Sequence, residues 1–223
     1  VNFEGAGCSP FRNCSSLEEV NLPITVDYTK PLFESCNALT TFNFTEGTDG
    51  IGEDYDSSSA KSTPWYSACY YGDFTVTFAE GITRIGDYMF SGCQRSDSPF
   101  GQFGITGAIE FPDSMTSIGA YAFSGCSSIT EFEFNETLET IGAHAFDGCT
   151  GMDELVVTSD LRIGAGAFQN CTGLRTLIIP IHVDAVGSTS DPIFRNCSGI
   201  NEIVFTGDGS SLGVDYSDSY QYT

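Results

Sequence analysis

Nine cysteines, two histidines and thirty carboxylates are the side chains in this sequence that could do chemistry. Eight of the cysteines follow an aromatic residue by three positions: Phe11–Cys14, Phe33–Cys36, Tyr66–Cys69, Phe90–Cys93, Phe123–Cys126, Phe146–Cys149, Phe168–Cys171 and Phe194–Cys197. Successive cysteines of this set lie 22 to 33 residues apart, one to each turn of a recurring pattern. Zinc binding is disfavoured by the lack of any C-x-x-C pair and by the presence of only His144 and His182. Disulfides are disfavoured because equivalent side chains in stacked units point the same way, which is poor geometry for an S–S bond. A ladder of buried free thiols, each behaving as a small apolar group, is the expectation. Cys8 lies off the pattern, and its pairing with Cys14 stays open. No serine or cysteine has a recognisable histidine and acid partner in sequence. His144 occupies a repeat position held elsewhere by Tyr88, Tyr121 and Gly166, which reads as surface, so no catalytic residue and no cofactor is assigned. The stretch Asp49 to Asp56 (DGIGEDYD) could offer carboxylates to calcium. It lacks EF-hand spacing and reads first as a solvated loop before the Thr-Pro-Trp unit.

The elements that must position these residues are repeats. The nonapeptide I-G-x-x-[A/M]-F-x-[G/N]-C runs from Ile85, Ile118, Ile141 and Ile163. After most of the cysteines comes x-x-[L/I/M]-x-x-[apolar]-x-[apolar], as in Ile129, Phe132 and Phe134, or Leu174, Leu177 and Ile179 before Pro180. Apolar residues at a period of two predict a short strand with one face buried. The following Pro or Asp/Ser/Gly cluster ends it. Ile-Gly marks a second corner, and x-x-A-F-x-x-C is short enough for one helical turn. A single unit cannot bury its Phe, Cys and Leu, but a stack can.

The combined pattern is clearest from Met115 to Phe134, Leu138 to Val157 and Ile163 to Pro180. It resembles the BspA-like leucine-rich repeat family. The segment Thr63-Pro64-Trp65-Tyr66 through Gly86 is similar to a variant unit associated with surface proteins of anaerobic gut bacteria. The resemblance implies a secreted or surface-anchored protein, in a family several of whose members act as adhesins. The expected fold is α/β: a right-handed leucine-rich-repeat solenoid with short parallel strands on one face and short helical turns or irregular structure elsewhere. The expected organisation is a single domain, 1–223, of about eight units. It has an insertion at 94–107, irregular stretches at 47–63 and 182–192, and a frayed tail at 208–223. The first three units are expected to lack the Ile-Gly corner.

Composition bounds the function. A net charge of −22, with 8 basic side chains, opposes nucleic-acid binding and adsorption to anionic membranes. It suits solubility and cationic partners. No apolar run approaches a transmembrane span. The sequence begins at Val1 without a visible signal peptide, which reads as an excised fragment whose targeting segment has been removed. Three of five N-x-[S/T] sequons, at Asn13, Asn170 and Asn196, arise because the repeat spells N-C-[S/T]; Asn43 and Asn135 carry the others.

Strand alternation assigns the outward residues. One row is Asn21, Asn43, Thr77, Glu110, Glu133, Val156, Ile178 and Val204; the row two residues earlier includes Glu131 and Glu154. Acid gathers at Glu110, Glu131, Glu133 and Glu154. An apolar strip forms at Val156, Ile178 and Val204, through partner contact or through the β-propensity of branched residues. The function expected is a non-enzymatic module, extracellular or on the cell surface, that presents this extended acidic face to a protein or glycan of a host or neighbouring cell. The alternatives are a structural spacer and a non-catalytic part of a larger surface hydrolase.

Overall fold

The computed structural model describes residues 10–23, 32–46, 50–51, 72–95, 103–157, 161–180, 184–186 and 191–207. Cys8, Tyr66, Cys69, His182, the acidic residues flanking Gly50–Ile51 in the calcium candidate and the tail at 208–223 fall outside these residues. The architecture is a parallel-strand β-solenoid whose coils share a repeated hydrogen-bonding plan. Among the described residues the first face carries eight strands: β1 (Glu19–Pro23), β2 (Thr41–Glu46), β4 (Thr75–Phe78), β8 (Gly107–Glu110), β10 (Ile129–Glu133), β12 (Glu154–Val156), β14 (Thr176–Pro180) and β16 (Glu202–Thr206). They form three sheets, ordered β1-β2-β4, β10-β8 and β12-β14-β16. Equivalent residues align: Val20, Phe42 and Val76 share one row, and Leu155, Leu177 and Ile203 another. A one-residue slip would turn this apolar set outward, so burial fixes the register.

The Ile-Gly corner is itself a sheet. Two- and three-residue strands β3 (Gly50–Ile51), β5 (Arg84–Ile85), β9 (Ser117–Ile118), β11 (Thr140–Ile141), β13 (Arg162–Gly164) and β15 (Asp184–Val186) pair in parallel, coil after coil. Ile51 enters this ladder beside Ile85 and is fully buried. The expectation that the first three units lack the corner is therefore corrected for one of them: Ile51, inside the calcium candidate, supplies a corner strand residue, and Gly86 N–H donates to its carbonyl at 2.9 Å. The insertion also ends earlier than expected. β6 (Gln94–Arg95) pairs antiparallel with β7 (Phe103–Gly104), Ile105 bridges to Phe74, and Gly107 already belongs to a first-face strand.

The third side corrects the fold class, because the described residues contain no helix. In one coil Ser91 N–H bonds the Tyr88 carbonyl and Cys93 N–H the Phe90 carbonyl, two successive tight turns. Tyr88, Phe90 and Gly92 donate instead to Ala120, Ala122 and Ser124 of the next coil, at 2.8, 2.7 and 2.8 Å. A helix would spend those N–H groups within its own turns. It is blocked by left-handed residues, two in each of the four coils from Tyr88 to Asn170, which L-residues adopt singly and not in runs. One position holds Tyr88, Tyr121, His144 and Gly166, with φ of 56°, 55°, 54° and 60°. The other holds Asn13, Ser35, Gly92, Gly125, Gly148, Asn170 and Asn196. Asn and Gly fill it in all these coils but that of Ser35, because they tolerate the conformation best, which is the physical source of the N-C-[S/T] sequons.

The core is one cluster running from Leu22 to Ile193. Phe90, Phe123, Phe146, Phe168 and Phe194 stack as a column, with successive centroids 5.1, 5.5, 5.2 and 5.7 Å apart. Beside it each thiol donates to the carbonyl of the preceding coil's phenylalanine: Cys126 to Phe90, Cys149 to Phe123, Cys171 to Phe146 and Cys197 to Phe168, at 2.9 to 3.3 Å. The described cysteines, Cys14 among them, are free thiols, and the Cys8–Cys14 pairing lies outside the described residues.

Candidate functional site

The first strand face divides into three chemistries. At the N-terminal end polar side chains bond to one another: Asn43 Nδ2 donates to Glu19 Oε1 at 2.7 Å and to Asn21 Oδ1 at 3.1 Å, and Thr77 donates to Asn43 Oδ1 at 2.6 Å. In the middle Glu133 sits directly opposite Glu110 in register, with Glu131 opposite Ala108. All three glutamates are exposed. Like charges directly opposite on neighbouring strands destabilise the pair, so this is a place where a cationic group would relieve repulsion. Glu154 stands on a different sheet, beside Thr176, which separates it from Glu202 in the same row.

The apolar strip is a true row. Val156, Ile178 and Val204 align across β12, β14 and β16, and Val156 and Val204 are 46% and 39% exposed. Three of the acidic candidates therefore share one sheet, and Glu154 joins the strip on the other. The strip is broader than alternation predicted. Ile203 and Phe205, assigned inward, are 50% and 66% exposed because no further described coil lies over β16.

One cluster escaped the sequence reading. His144 is held between Asp191, at 2.9 Å from Nε2, and Asp147, at 3.4 Å from Nδ1, with its side chain only 16% exposed. Its ring stacks on Tyr121, which stacks on Tyr88, both at 4.7 Å between centroids. The assignment of this position to open surface is thus corrected to a half-buried stacked column. Gly166 makes room for it: a Cβ there would lie 2.5 Å from His144 Cε1 and 3.0 Å from Asp191 Oδ1. Asp191 belongs to the irregular stretch, so no local sequence spacing announces the contact. Burial and then the neighbouring Tyr88, Asp147 and Asp191 raise the Tyr121 phenol above its ordinary value. Asp147 in turn accepts from Asn170 Nδ2 at 2.8 Å. The cluster ties adjacent coils together, and the two carboxylates lie against different ring nitrogens. Among the described residues no set of His, Cys, Asp and Glu side chains converges as metal ligands.

The family follows from the repeat in sequence and geometry together. A profile described as the BspA type leucine-rich repeat region, present in six copies, matches residues 2–62, 66–98 and 96–217. This chain belongs to the BspA-type leucine-rich repeat family. Two solved structures show the same fold. A leucine-rich cell surface protein from Faecalibacterium prausnitzii is 19% identical with a TM-score of 0.53, over 91% of this chain and 63% of that one. The pneumococcal vaccine antigen PcpA is 14% identical with a TM-score of 0.50, over 89% and 59%. This BspA-type chain therefore spans less than two thirds of either protein. No curated protein matches it.

Proposed function

We propose that this BspA-type chain is a non-enzymatic binding or adhesion module, secreted or on the cell surface, that engages a protein or glycan of a host or neighbouring cell through its first strand face. The observation that carries this reading is the in-register row Val156, Ile178 and Val204, with Val156 at 46% and Val204 at 39% exposure. Val156 and Val204 are exposed and Ile178 between them is half-buried; the three make an apolar row on successive rungs, and contiguous apolar patches mark contact surfaces. The carboxylates of Glu110, Glu131, Glu133 and Glu154 add a field that favours basic groups around that contact. The description of the Faecalibacterium protein as a cell surface protein supports the location.

The test is surface plasmon resonance against purified host extracellular-matrix proteins, comparing the parent chain with Val156→Thr/Ile178→Thr/Val204→Thr. The parent should bind at least one of them saturably, and the triple variant about tenfold more weakly, as expected when apolar anchors of an interface are lost. Undiminished binding by the folded triple variant, or no saturable binding to any of them, would overturn the reading.

A further inference from the structure

The last described coil presents an open cross-section of the repeat. Phe194, Cys197 and Ile200 are only half-buried, whereas their equivalents Phe168, Cys171 and Leu174 one coil earlier are fully buried. Among the described residues β16 is the outer strand of its sheet, and Ile203 and Phe205 stand uncovered on it. Repeat arrays usually close with a coil whose outer face is polar, and this face is apolar. The first described coil is open on the opposite side. There β1 is the outer strand, Phe11 is 38% exposed and Cys14 is exposed, while Phe33 and Cys36 of the next coil are buried. The two ends also match in their hydrogen-bonding groups. Along the stack a coil's phenylalanine N–H donates to the carbonyl just before the next phenylalanine, as Phe11 does to Leu32 at 3.2 Å and Phe168 to Ile193 at 3.1 Å. Two residues on, Asn13 donates to Glu34 at 2.9 Å and Asn170 to Arg195 at 2.8 Å. In return the next coil's thiol donates to the phenylalanine carbonyl, as Cys36 does to Phe11 at 3.0 Å and Cys197 to Phe168 at 2.9 Å. At the two ends these groups have no partner among the described residues: the Phe194 and Asn196 N–H groups on one, the Pro10 and Arg12 carbonyls and the Cys14 thiol on the other.

We propose that the last described coil of one copy of this chain stacks on the first described coil of a second copy, in the register that coils keep within the chain. At the repeat spacing Phe194 then stacks on Phe11, Ile203 meets Val20 and Phe205 meets Leu22. The Phe194 and Asn196 N–H groups reach the Pro10 and Arg12 carbonyls, and the Cys14 thiol reaches the Phe194 carbonyl. The occupant is a second copy because the contact continues the interface that joins every coil to the next. An unrelated surface would have to supply the aromatic, thiol and strand rows at the same spacing, and the first coil carries all three. The contact sets one end against the other, so it leaves two ends open and gives a linear series. It is weak for two reasons. Phe205 and Phe11 together cover roughly 200 Å² of ring surface, which is small among specific interfaces. Glu202 also faces Glu19 across the junction, and Arg195 faces Arg12, so like charges meet.

Sedimentation velocity of the whole chain tests this. At about 0.3 M sodium chloride, where repulsion is screened within a few ångströms, the weight-average mass should rise about twofold or more between about 10 µM and about 1 mM, the range suited to an interface this small. The rise should shrink at about 10 mM salt. Phe205→Glu blocks one end and Cys14→Glu the other. Both positions are exposed, so each variant should keep the parent melting temperature while staying a monomer. Mixed in equal amounts, the two variants should form a dimer and nothing larger, because each keeps the end that the other has lost. A parent that stays monomeric throughout, association that survives in either folded variant alone, or a mixture that forms no dimer would each overturn the proposal.

Discussion

Cys149 shows why the repeat keeps a thiol beside each phenylalanine. Its side chain is fully buried and donates to the Phe123 carbonyl of the preceding coil at 3.3 Å. A serine could make that bond but would bury a costlier hydroxyl, and an alanine would make none. Burial pushes the Cys149 thiol well above its ordinary range. Burial likewise raises the Cys36 thiol, while the interaction between Cys171 and Cys197 raises the first and lowers the second, which largely offsets in the proton count. The sign follows from proton counting. Above the unfolded thiol value of about 8.5, the unfolded chain has lost protons that the native chain retains, so stability falls as pH rises. The melting temperature should accordingly decline from pH 8.5 to pH 10. At pH 8 Ellman's reagent should modify exposed Cys14 at once, and Cys126, Cys149 and Cys171 only on unfolding. Prompt modification of all of them in the native protein would contradict the ladder.

Two glycines separate what an element needs from what a coil contact needs. Gly92 has φ of +67° and open space around its missing Cβ, whereas Gly142 would push a Cβ into the backbone of the neighbouring coil. Gly92→Ala should therefore cost about 1 kcal/mol, from the left-handed conformation alone. Gly142→Ala should cost about 3 kcal/mol, at the upper end of overpacking penalties, because backbone must move. Urea denaturation of the two variants checks the order, and a reversal would mean that coil spacing is more pliant than the contacts indicate. Much of this was readable in advance. The alternation around Phe132 and Leu177 placed the strand-face rows correctly, since a period of two follows directly from the pleat. The helical turn offered for the third side did not form: A-F-x-x-C is too short to show a period, and of its two left-handed positions one carries a Gly/Asn preference while the other holds Tyr88, Tyr121, His144 and Gly166, which show none. His144 met Asp191 across 47 residues and an irregular stretch, where no pattern links them.

Taken whole, the chain carries a net charge of −22 with few cations to offset it. Self-repulsion of that size acts against the compact state and is screened by salt over about 10 Å at 0.1 M. The melting temperature should rise between 10 and 150 mM sodium chloride, at roughly these conventional ionic strengths. A flat or falling response would mean that local ion pairs such as Arg175–Asp153 outweigh the net charge. The coil plan has a further consequence. Ile118 and Ile141 stand at equivalent points of adjacent coils, with the same inward burial, the same strand pairing and a glycine after each. Removing residues 119–141 would join Ile118 to Gly142 and leave each remaining rung with a neighbour of the kind it had before. Genetic slippage by one unit can thus lengthen or shorten the protein without asking any side chain to learn a new environment. A lineage could adjust reach by copy number while point mutation independently edits what the outer rows recognise.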